Sequence, residues 1–283
     1  MNWKAFGSRL LLIAVAFPVL GALILALPQL HHLAFNALVV AGSVAGALET
    51  RGLFHARGIS CSRILAPALA GTLPLVAWLE VAGLIPPGWA RAWLPLAIGL
   101  ILVRALAMKD SRALSGFLPF VSSSLFTLLY PSFFLSWLVR LSALSDPSLA
   151  ILLFLCLVFG NDMAAYFAGS LFGGRTRLNL AISPGKTAVG FAAGIFGTLV
   201  VYGIFRLSAP FLLPASVPQG IVMALLVGVA VILGDLVESG LKRSASVKDS
   251  GVVIPGRGGM LDSVDSMILS APLFYGLMRF FGR

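Results

Sequence analysis

The sequence predicts an all-α protein, a polytopic bundle of about nine membrane-spanning helices with its N-terminus on the cytoplasmic side. Three observations predict it. Of 283 residues, 59% are hydrophobic and only 11% are charged, with a mean hydropathy of +1.01, whereas soluble domains carry about 25% charged residues. Apolar runs recur along the chain, and a helix needs about 20 such residues to cross the hydrocarbon layer. The basic residues, finally, gather on alternate connections between those runs, as the positive-inside rule requires.

The runs come in order. Residues 10–27 follow a basic start (Lys4, Arg9) and lack a small-x-small cleavage site before a polar segment, so they read as a first span and not a leader. The run 33–48 is short, and 64–84 holds the isolated Glu80, expected to snorkel to the interface. After 92–108, the long run 113–139 contains Pro119 and Pro131 and reads as a kinked span or a span plus a re-entrant piece. Runs 149–171, 187–205, 219–239 and 264–281 complete nine, with eight or ten left open. With the N-terminus inside, fifteen of the twenty Lys and Arg lie on inner segments, and Arg91, Arg140, Arg206, Arg279 and Arg283 lie outside. Such loops also sit well against anionic inner-leaflet headgroups.

That asymmetry accounts for the net charge of +10, and no basic stripe interleaved with aromatics points to nucleic acid. Cys61 and Cys156 are far apart with no ligand-like neighbours, and His31, His32 and His55 have no metal-ligand spacing. Intramembrane polar groups are sparse over 1–148 and concentrated over 149–283. The first part reads as a scaffold of lipid-facing helices, the second as the catalytic half with a cytoplasmic Gly-rich loop.

Acids within spans are costly and mark function by default. Besides Glu80 these are Asp162, Asp235, Glu238 and Asp265. Asp162, Tyr166 and Gly169 share a helical face by spacing, and a polar stripe that packs helices is the competing reading. Ser183-Pro184-Gly185-Lys186-Thr187 ends like a P-loop, but Leu180 stands where the earlier glycine belongs, so only a phosphate-binding Lys186 is retained. Asp235 and Glu238 lie one turn apart near the inner end of the eighth run, and Asp262 and Asp265 stand likewise at the start of the ninth. Joined by a Gly-rich loop, the two pairs can face each other, and such hard oxygen ligands suit Mg²⁺ with substrate phosphates. Gly256, Gly258 and Gly259 would let backbone N–H groups approach phosphates, with Lys242, Arg243, Lys248 and Arg257 supplying charge. The competing reading makes Asp262 a helix cap, the cations membrane anchors and the glycines an ordinary turn.

Ser239, Lys242-Arg243, Lys248-Asp249-Ser250-Gly251, Pro255-Gly256-Arg257-Gly258-Gly259 and Leu261-Asp262-Ser263-Val264-Asp265-Ser266 together resemble the signature of the phosphatidate cytidylyltransferases, or CDP-diacylglycerol synthases. The stretch 162–190 is similar to that family's Asp-x-x-Ala-Tyr-x-x-Gly and Ser-Pro-x-Lys-Thr elements. Arg257 replaces the family's usual histidine, Ser263 its arginine and Val189 a common Glu. Arg257 still donates but is no acid or base at neutral pH.

The resemblance implies that CTP and phosphatidic acid give CDP-diacylglycerol and pyrophosphate. It also implies Mg²⁺ with a second cation open, membrane lipids as surroundings, no nucleic acid, and a homodimer left open. Asp235 and Asp262 become the first choices for metal and catalysis, with Asp249 as a further metal ligand and Lys242 and Asp265 as further catalytic groups. Asp162, Ser183, Lys186, Arg243, Lys248, Asp249, Gly256, Arg257, Gly258 and Gly259 become the substrate-binding set. The implied location is the inner membrane, with the site facing the cytoplasm. Competing readings are a CTP-dependent polyprenol kinase-like enzyme, an ion-coupled transporter and an inactive relative.

Overall fold

The structure, a computed structural model, describes residues 18–107, 114–214, 216–254 and 258–281. Eight α-helices lie wholly within them: α1 Gln29–Ala56, α2 Leu65–Val81, α3 Trp89–Ala105, α4 Phe117–Leu141, α5 Pro147–Phe172, α6 Ala188–Ser208, α7 Val217–Ser244 and α8 Leu261–Phe281. Extended pairing among the described residues is limited to isolated bridges at Arg177–Thr187, Leu180–Ser183 and Ile254–Gly258. Helices α1, α4, α5, α6 and α7 are long and apolar enough to cross a membrane. Helices α2 and α3 have 17 residues each, about 26 Å at the α-helical rise, the lower edge of span length. The chain is thus an all-helical integral membrane protein. Residues 10–17 of the first predicted run lie outside the described residues.

Chain packing divides the molecule into two compact units, one of Met1–Leu25, Leu144–Gly240 and Val264–Arg283, the other of Ala26–Ala143 and Leu241–Ser263. In the first unit, α6 shows how a helix sorts its faces without water. Phe196, Val200, Ile204 and Leu207 point outward, while Gly190, Gly194, Thr198 and Tyr202 are buried at four-residue spacing. Small residues let backbones come close, which is how membrane helices gain packing contact. A methyl group at Gly197 would lie 2.7 Å from Gly160 O of α5, and one at Gly194 2.7 Å from Asn161 Oδ1. Asn161 Nδ2 donates to Thr198 Oγ1 at 2.9 Å and to Gly228 O at 3.2 Å, tying α5 to α6 and α7. Thr187, in extended conformation, caps α6 by accepting from Gly190 N at 3.0 Å, the usual role of a hydroxyl before a helix. Gly169 and Gly173 make room for it, since added methyls would meet Thr187 Oγ1 at 3.1 Å and Thr187 Cγ2 at 2.6 Å.

In the second unit, Ala66, Leu69, Leu73, Ala97, Ile101 and Leu128 form a core from α2, α3 and α4. Helix α4 is continuous through Pro131, where the turn widens to π geometry over Leu129–Phe133; proline has no N–H to give to a regular ladder. The run is one continuous helix over 117–141, which includes both prolines. The buried start of α2 is satisfied by serines: Ser62 Oγ accepts from Ala66 N, and Ser124 Oγ accepts from Ser62 N at 2.9 Å. Glu80 has a defined partner. Its Oε2 accepts from Ala90 N at 2.7 Å, so the carboxylate sits at the positive start of α3, where a negative charge is favoured.

Candidate active site

In the first unit, Lys186 sits at the end of a short turn in which Ser183 N donates to Leu180 O and Lys186 N to Ser183 O. This turn presents the Lys186 ammonium to Asp235 of α7, and the two form an ion pair. The other oxygen of Asp235 accepts from Ser239 Oγ at 3.3 Å, one helical turn on. The pair keeps about a quarter to a third of its side-chain surface open (Asp235 25%, Lys186 31%). Just before Asp235, Gly234 lets α7 touch α8: a methyl there would collide with the carbonyl of Asp265. Asp265 is buried, and Asp162 of α5 accepts from Ser266 Oγ at 3.3 Å. Lys186, Asp235, Asp265 and Asp162 thus lie on one connected set of contacts within this unit.

In the second unit, Lys242 from the last turn of α7 pairs with Asp262 in the first turn of α8. Asp262 Oδ2 also accepts from Ser250 N at 2.9 Å, Ser250 Oγ at 2.9 Å and Gly259 N at 2.7 Å. Burial alone would raise the Asp262 carboxyl, but the bonds from Lys242, Gly259 and Ser250 outweigh it and hold it below the ordinary range. Gly258 has φ +110° and no space for a side chain beside Asp262; only glycine suits both conditions. Ile254 and Gly258 exchange backbone hydrogen bonds at 2.8 and 3.0 Å. Arg243, Lys248 and Asp249 are exposed. Gly256 and Arg257 lie outside the described residues.

The Cytidylyltransferase family matches this chain over residues 8–281. The chain belongs to that family. Among its relatives is a phosphatidate cytidylyltransferase of Synechocystis, 32% identical over 85% of this chain and 87% of the relative. Another, from Bacillus subtilis, is 40% identical over 51% of this chain and 53% of the relative. An uncharacterized protein of Escherichia coli, YnbB, is 35% identical over 66% of this chain. The matches to the last two span 53% and 63% of those proteins, under two thirds of their length.

One buried acid beside the candidate site is not among the residues the sequence singles out. Glu49 of α1 is 8% exposed and takes Met260 N at 2.7 Å, Leu261 N at 2.8 Å and Ser250 Oγ at 2.9 Å. The apolar run 33–48 stops one residue short of it, so Glu49 counted as connection. Helix α1 in fact continues to Ala56.

As for a divalent ion, no three His, Cys, Asp or Glu come together as a ready cage among the described residues. Mg²⁺ needs no such cage, because one or two carboxylates plus phosphate oxygens and water suffice. Asp235 fits that role: its oxygens are engaged only by side chains, Lys186 and Ser239, which can move aside.

Proposed function

We propose that this chain transfers the cytidylyl group of CTP to phosphatidic acid, giving CDP-diacylglycerol and pyrophosphate, at the cytoplasmic face of the inner membrane. The observation that carries the reading is that each signature aspartate faces a lysine, Asp235 with Lys186 and Asp262 with Lys242. The names of the Synechocystis and Bacillus relatives supply the substrate class.

The chemistry follows from charge. A phosphate oxygen of the lipid bonds to the α-phosphorus of CTP as the bond from that phosphorus to the β-phosphate's bridging oxygen breaks, and pyrophosphate departs. The attacking oxygen is already anionic at neutral pH, so no strong base is required. The obstacle is the approach of two anions, and fixed positive charge lowers it. Lys186 is positioned by its turn to leave Asp235 for a phosphate group. Lys242, Arg243 and Lys248 bring further cations on and after the last turn of α7. Bound Mg²⁺ would draw charge from the triphosphate, with Asp235 as the carboxylate offered to it. The lipid enters sideways from the bilayer, and the basic inner connections set the nucleotide side.

The test is purified protein in mixed micelles with radiolabelled CTP, phosphatidic acid and Mg²⁺, followed by lipid extraction. Label in the lipid phase with equimolar pyrophosphate is the expected result. Release of CDP would instead mean terminal phosphoryl transfer, as in a polyprenol kinase-like enzyme. Absence of both products would leave a transporter or an inactive relative.

A further inference from the structure

The Gly-rich loop between α7 and α8 is pinned by two carboxylates, only one of which belongs to the loop's own signature. Asp262 binds both ends of the loop, at Ser250 and at Gly259. Glu49, some two hundred residues earlier in the chain, does the same, through Ser250 Oγ and through the N–H groups of Met260 and Leu261 that open α8. A buried carboxylate must be matched by donors, and these three do so while meeting the positive end of a helix.

The glycines bear the mark of this arrangement. A methyl group at Gly251 would lie 2.6 Å from Glu49 Oε1, and one at Gly259 would collide with Glu49 Oε2 and Ser250 Oγ. These two positions are therefore glycine because a carboxylate from α1 fills the space beside them. The loop's amides at 259, 260 and 261 are likewise already spoken for. They hold Asp262 and Glu49.

We infer that Glu49 is a positioning residue for the reaction: it locks the 250–261 loop so that Lys248, exposed two residues before the anchored Ser250, is presented to the nucleotide in a fixed arrangement. The kinetic part of this inference rests on the cytidylyltransferase reading above; the clamp itself does not. In Glu49→Gln one acceptor oxygen becomes a donor, so the N–H or O–H groups on that side lose their partner.

The experiment measures hydrogen–deuterium exchange of the full chain in detergent, and in parallel the steady-state constants for CTP and phosphatidic acid. For Glu49→Gln, exchange in peptides covering 248–263 is expected to speed up at least about tenfold, with other peptides within about twofold. KM for CTP is expected to rise about tenfold or more and that for phosphatidic acid to stay within about twofold. Gly251→Ala should show the same signature alone, yet cost less than about twofold when added to Glu49→Ala, because the atoms it collides with are gone. Unchanged exchange in Glu49→Gln would overturn the clamp. Faster exchange with both KM values unchanged would overturn the positioning role, as would additive costs of Gly251→Ala and Glu49→Ala. A wild type that makes no CDP-diacylglycerol would defeat the proposed reaction, while the exchange measurement would still decide the clamp.

Discussion

The carboxylate of Asp235 is held by two side chains, those of Lys186 and Ser239, whereas that of Asp262 is held by Lys242, a serine hydroxyl and two backbone N–H groups. Exposure differs in the same sense: the Asp235 side chain is 25% exposed and that of Asp262 is 7%. Side-chain partners can swing away when a ligand arrives, but backbone donors cannot do so without moving the loop. Two aspartates with the same type of partner in sequence therefore have different physical duties. Asp235 is free to exchange its lysine for a cation, while Asp262 fixes the shape of the segment that carries Lys248 and Asp249.

Substitutions at four positions sharpen or break that contrast. Asp235→Asn should lower turnover by about 10³-fold, the scale of removing a central electrostatic contact, with thermal unfolding in detergent unchanged within about 2 °C. The pair is partly open to solvent and is expected to contribute about 1 kcal/mol to stability, so a large fall in Tm here would erase the distinction. Asp262→Asn should lose activity and also about 3 kcal/mol of stability, because it removes the charge that Lys242 and the N–H groups of Ser250 and Gly259 share; the midpoint in the same assay should drop by about 6 °C or more. Lys186→Ala should raise KM for CTP by about 10- to 100-fold, the worth of one charged hydrogen bond, and Lys186→Arg should recover most of it. Ser239→Ala removes one neutral hydroxyl and should cost less than about tenfold in kcat/KM. A larger effect there than at Lys186 would mean that Ser239, not the lysine, orients Asp235.

The helices were legible because apolar runs mark them directly: 149–171 became Pro147–Phe172, and 187–205 became Ala188–Ser208. Reading such runs fails at their ends, where a helix carries on into polar residues. That is why α1 hid Glu49, whose partners Ser250, Met260 and Leu261 have no local spacing to betray them. The pairing of Lys186 with Asp235 joins two motifs flagged separately, but their contact depends on a turn whose shape no periodicity encodes. Gly259, expected to offer its amide to a phosphate, instead gives it to Asp262 at 2.7 Å. Glycine in such a string signals close approach without saying of what. Gly169, for which helix packing was the competing reading, clears space for the Thr187 cap, which lies 18 positions later and belongs to another helix.

The carboxamide of Asn161 has consequences for how the chain is made. It is fully buried, and its two acceptors follow 37 and 67 residues later in synthesis. At about 5–20 residues per second, the second acceptor is translated roughly 3–13 s after Asn161 itself. Released into lipid during that interval, α5 would carry an amide with nothing to bond, at a cost of several kcal/mol. The favoured course is for α5 to wait at the insertion machinery until α6 and α7 join it, so that the three helices leave for the bilayer together.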